Sequence, residues 1–93
     1  MATKGSFTPT DVAIWMLSEL KRDGTLYQEV AASEIEKRFG QAFTPINENG
    51  NYSIRRDVLA AFRKLTDNTV IWERGERMWR KRQGYDSPGR QQD

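Results

Sequence analysis

Residues 53–82 read SIRRDVLAAFRKLTDNTVIWERGERMWRKR, and this stretch decides the fold. Ile54, Val58, Phe62 and Leu65 recur at steps of four, four and three, so they gather on one side of a helix at about 100° per residue. Leu59 and Ala61 widen that stripe, and the opposite side carries Arg56, Ala60, Arg63 and Asp67. Thr69 to Trp72 then turns β-branched and aromatic, the composition of a strand. Glu73-Arg74-Gly75-Glu76 reads as a turn, because Gly75 takes a positive φ without steric penalty. A two-residue loop at Arg74 and Gly75 predicts Trp72 opposite Arg77, Ile71 opposite Met78 and Val70 opposite Trp79. Ile71 and Met78 then share the predicted core face, while Val70, Trp72, Arg77 and Trp79 share the other. Two tryptophans on one face of a ribbon need cover. Packing on the first helix supplies it, and without that cover they form a patch for a partner. The prediction is a mainly α protein with a C-terminal β-hairpin.

Upstream, Met1 to Phe7 is a polar lead, predicted flexible. Thr8-Pro9-Thr10-Asp11 is a helix start: Thr8 caps, Pro9 suits the first helical position, and Asp11 meets the positive helix end. The first helix is predicted to run to Arg22, with Gly24 as its left-handed cap. Its segment Val12 to Leu17 is apolar almost all round, which predicts a central, deeply buried helix. Thr25 and Gln28 have capping-box spacing, so the second helix follows a very short turn and ends at Gly40. Tyr27, Ala31, Ile35 and Phe39 give it a core face. The stretch QAFTPINENGN, 41–51, is predicted to be an irregular loop anchored by Phe43 and Ile46, with Asn51 capping the third helix. Residues 83–93 are short of apolar side chains and predicted to be a flexible tail.

The 93 residues suffice for one small domain, residues 8–82. There is no cysteine and no histidine. That excludes disulfides, thiolate and histidine metal sites, and every His-dependent nucleophile. No carboxylate pair suggests acid–base chemistry either, so no catalytic residue, metal or cofactor is assigned and no enzyme is expected. No run of about 18 apolar residues spans a membrane and no leader pattern is present, which points to the cytoplasm. Net charge is +2, with 15 basic and 13 acidic side chains. The excess is local: residues 1–68 hold nine of each sign, whereas residues 69–82 hold five basic and two acidic. A basic hairpin of this kind can meet phosphates.

The order of three helices and a hairpin over residues 8–82 resembles the winged helix-turn-helix architecture. The strings NENGN (47–51), FRKLT (62–66) and WERGERMWRKR (72–82) are similar to those of a family of small uncharacterised bacterial proteins. The winged-helix resemblance implies that the third helix is the recognition helix and Arg74 to Arg77 the wing tip. Two features depart from that pattern. No strand is read between the first and second helices, and the link to the third helix is far longer than the usual tight turn.

Two functions compete. In the first, duplex DNA is bound by Arg56 and Arg63 of the third helix with Arg74, Arg77, Arg80, Lys81 and Arg82 of the hairpin. Two arginines flanking a small alanine let a helix approach a groove. In the second, Trp72 and Trp79 anchor a protein partner or a homodimer, since tryptophan and arginine dominate interface hot spots.

Overall fold

The computed structural model describes residues 7–67, 69–83 and 91–92. Thr8 starts the first helix, α1 (Pro9–Asp23), with a capping box. Its hydroxyl accepts the Asp11 N–H at 3.1 Å, and the Asp11 carboxylate accepts the Thr8 N–H at 2.9 Å. Gly24 closes the helix in the left-handed region, φ 82°. Val12, Ala13, Met16 and Leu20 are buried, and this stripe makes α1's broadest contact, with α3 (Arg56–Leu65). The expected burial on all sides is corrected here: Ile14 is 52% exposed, so α1 is central but one-sided.

The segment after Gly24 is a strand, β1 (Thr25–Tyr27), and not a capping turn. It pairs antiparallel with β3 (Met78–Lys81), Leu26 lying opposite Trp79. Helix α2 (Gln28–Phe39) follows at once, with Tyr27 as N-cap and no side-chain cap. Ala31, Ala32 and Ile35 form its buried face, while Tyr27 points to solvent at 45% exposure. Gly40 ends α2 with φ 98° and ψ 162°, a region essentially reserved for glycine. No atom lies within 4 Å of a Cβ placed there. Gly40→Ala is therefore expected to cost about 1–3 kcal/mol through backbone strain alone, read as a lower urea midpoint.

A single 3₁₀ turn, Gln41–Phe43, buries Phe43. Ile46, the other expected anchor, is 49% exposed and bridges Tyr52 across a small hairpin. The Asn47 side chain accepts the N–H groups of Asn49 and Asn51 at 2.9 and 3.1 Å, so Asn51 closes this hairpin and does not cap α3. Helix α3 begins only at Arg56. Ile54 is buried just ahead of it, and Val58 and Phe62 are buried within it. Leu65 faces water, and Thr66 is buried in its place, its hydroxyl donating to the Phe62 carbonyl at 2.7 Å.

The hairpin β2 (Val70–Glu73) and β3 pairs Trp72 with Trp79 and Glu73 with Met78. The loop is the four residues 74–77, which corrects the expected register by two positions. The positive φ falls at Arg77, 54°, and not at Gly75. The cause is a tertiary bond: the Gln28 N–H donates to the Arg77 carbonyl at 3.0 Å and ends the strand there. A shift of two keeps the membership of each face. The face that packs on the main core, however, is the one with Val70, Trp72 and Trp79, while Ile71 is fully buried on the face it shares with half-buried Met78. Trp79 is 5% exposed and meets Phe62 edge-on at 5.2 Å. Sheet order is β1-β3-β2-β4, where β4 (Gln91–Gln92) runs parallel to β2. Three helices thus pack with a three-stranded antiparallel sheet and a two-residue edge strand. That edge strand lies within the tail expected to be flexible. Phe7, placed in the flexible lead, stacks edge-on against Phe39 at 4.8 Å. Residues 1–6, 84–90 and 93 of the two expected flexible ends lie outside the described residues.

Candidate functional site

The start of α3 is bolted to the 3₁₀ turn by one arginine. Arg55 donates to the Ala42 carbonyl at 3.0 Å, and its guanidinium lies 4.7 Å from the centre of the Phe43 ring. It also grips Asp57 in two bonds of 2.8 Å each. That hydrogen-bonded pairing holds the Asp57 carboxyl below its ordinary pKa and the Arg55 guanidinium above its own. Both groups are largely solvated, so the pair adds little stability. Its consequence is electrostatic: the acid in the first turn of α3 is neutralised.

What remains on the outer side of α3 is Arg56, Ala60, Arg63, Lys64 and Asp67, all exposed. Among the described residues, the side chains of Arg56, Arg63 and Lys64 have no hydrogen-bond or ion-pair partner. Lys64 was missed by the sequence reading because it sits one position beyond the stripe of Arg56 and Arg63. Leu59, Ala60, Arg63, Lys64 and Asp67 line a shallow depression on this face.

The hairpin cations do not form one patch. Arg80, half-buried with its side chain 14% exposed, pairs with Glu73 at 2.7 Å and also donates to the Lys81 carbonyl at 3.2 Å. Cross-strand packing opposite Ile71 places it there, which makes it a member of the sheet rather than a free contact. Arg74 and Arg77 sit in the exposed turn. Lys81 and Arg82 lie at the other end of β3 beside Lys21, around a cleft of about 520 Å³ floored by Leu17, Leu20 and Val70. At about 3.3 Å per residue, Arg77 and Arg82 are roughly 16 Å apart along the strand. Of the two candidate anchors for a protein partner, Trp72 is half-buried and stacks on Trp79 with centroids 4.8 Å apart; the Trp79 indole is in the core.

Arg77 instead joins a cleft of about 400 Å³ between the hairpin turn, the N-terminal end of α2 and the 47–53 loop. Tyr27 and Tyr52 line it, and the sequence marked neither as a site residue. Periodicity assigned Tyr27 to the core, and only the β1 pairing turns it outward. Among the described residues, no three Asp or Glu side chains cluster closely enough to hold a metal. No helix there is long and apolar enough to cross a membrane.

No curated protein and no solved structure matches the chain. A family profile does match, over residues 8–81, from the N-cap of α1 to the last residue of β3. The chain belongs to this family, described as a family of unknown function (DUF6953).

Proposed function

We propose that the chain is a winged-helix module that binds duplex DNA, with α3 in the major groove and the 74–77 turn as the wing. The observation that carries this reading is the outer face of α3: Arg56, Arg63 and Lys64 are exposed and unpaired around Ala60, and the nearby Asp57 is neutralised. Support also comes from the sheet. The strand between α1 and α2, which no sequence signal marked, is β1, and the β2–β3 turn, residues 74–77, is exposed. Arg56 and Arg63 are the base-reading candidates, each bidentate pair with guanine worth about 1–3 kcal/mol of discrimination. Lys64 is a phosphate contact, whereas Arg77 shares its cleft with Glu29 and Glu76 and is not one. Arg80 drops out, held by Glu73. Asp67 at the end of the same face repels phosphate and limits the footprint. A DNA-binding role in a bacterial cell, the setting the resemblance implies, would place the protein in the cytoplasm.

The test is a titration of labelled random duplex at two salt concentrations. On random duplex Arg56, Arg63 and Lys64 all meet phosphates, so log K should fall against log salt with a slope near −3, and affinity should lie near 10⁻⁴–10⁻⁶ M for a single copy, roughly the non-specific range. Arg56→Ala with Arg63→Ala is expected to lower affinity at least tenfold while leaving the melting temperature unchanged. Equal affinities, or no binding by the parent at low salt, would remove the DNA reading and favour a partner protein docking at Trp72.

A further inference from the structure

The cleft beside the 74–77 turn has a chemistry unlike that of the α3 face. Tyr27 and Tyr52, 45% and 41% exposed, leave two aromatic rings in an otherwise polar cleft. Neither tyrosine hydroxyl has a hydrogen-bond partner among the described residues, and neither do the side chains of Asn49 and Asn51. The walls are pre-formed. Asn47 clamps the loop through the N–H groups of Asn49 and Asn51, and the Gln28–Arg77 bond fixes the turn. Arg77 is held at φ 54°, the described residues' one non-glycine position with positive φ. Such strain collects at functional positions. Pre-formed walls spare a ligand the entropy of ordering them.

The charge decides the ligand class. One guanidinium, Arg77, faces two carboxylates, Glu29 and Glu76, which line the same cleft. A phosphate-rich ligand meets net repulsion there, so a DNA backbone does not fill it. Exposed aromatic rings stack on flat or ring-shaped partners. Amides and carboxylates meet the polar edges of bases and the hydroxyls of a ribose or sugar. The volume of about 400 Å³ falls within the ordinary range for small-molecule sites. We propose that this cleft binds a neutral, hydroxyl-bearing ring compound, a nucleoside or a saccharide. One ring face lies on Tyr27 or Tyr52, and the polar edge meets Asn49, Asn51 and the two carboxylates. This site is independent of the α3 face and does not rest on DNA binding.

The experiment is titration calorimetry of the full chain with adenosine, uridine, glucose and cellobiose, with adenosine monophosphate as the charged comparison. Amide shift mapping on the parent protein runs alongside. Saturable binding of a nucleoside or of a saccharide is expected, and which set binds identifies the source. The shifted amides should be those of residues 27–29, 47–53 and 76–77. The Tyr27→Ala, Tyr52→Ala double variant should bind at least tenfold more weakly with an unchanged melting temperature. Adenosine monophosphate should bind more weakly than adenosine, a gap that Glu29→Gln with Glu76→Gln should narrow. The proposal is overturned if neither class binds at millimolar concentration, if the shifted amides lie elsewhere, or if the monophosphate binds more tightly than adenosine. Loss of the α3 arginines leaves this binding unchanged, so the two sites fail separately.

Discussion

Trp79→Ala is expected to remove about 3–5 kcal/mol of stability, enough to leave the domain marginal. The indole is the point where the sheet meets the helices. It lies opposite Leu26 on one side and Trp72 on the other, and its ring meets Phe62. Truncating it opens a cavity bordered by three strands and α3, none of which can close in without breaking a ladder. For a domain of this size each kcal/mol lowers the melting temperature by roughly 4–8 °C, so thermal unfolding monitored by far-ultraviolet circular dichroism gives a large signal. Trp72→Ala should lose distinctly less, because that ring is half-buried. A Trp79→Ala protein that melts with the parent would remove the indole from the core and return it to the role of a partner anchor.

Phe62→Ala should cost about 3–5 kcal/mol as well, since the ring is fully buried between α1 and the sheet. The two losses will not add. The rings touch edge-on at 5.2 Å, a geometry worth about 0.5–1.5 kcal/mol beyond the area it buries. Each single variant already forfeits that contact, so the double variant should lose less than the sum. Urea unfolding of the parent, both single variants and the double gives the coupling directly. Additivity within about 0.3–0.5 kcal/mol would show that the rings act independently.

The helices were legible because their signals are local. Thr8, Pro9 and Gly24 bound α1 as the capping rules dictate, and the four-residue repeat in Val58 and Phe62 placed the buried side of α3. The failures share one cause. β1 has three residues, too few for an alternation to show, and its partner lies near the end of the chain. Without that pairing, Thr25 looks like a cap and Tyr27 looks like core. The hairpin register depends on the Gln28–Arg77 bond, which no turn rule contains. The start of α3 depends on Arg55 reaching Ala42 and Phe43.

The candidate site divides in the same way. The outward direction of Arg56 and Arg63 followed from helical geometry and holds. The pairing of Arg80 with Glu73 and the dispersal of the hairpin cations needed the fold. So did the convergence of Tyr27, at the end of β1, and Tyr52, in the 47–53 loop, on one cleft.

The pairing of Leu26 with Trp79 also governs how the protein is born. Strand β1 is made well before β3, its one sheet neighbour among the described residues. At about 5–20 residues per second, roughly 3–11 s of synthesis separate Tyr27 from Lys81. Through that interval Leu26 and the stripe of α1 that faces the sheet are without their cover. The nascent chain therefore completes its core only once β3 is made, and any stall before or within β3 holds a sticky, unclosed intermediate on the ribosome.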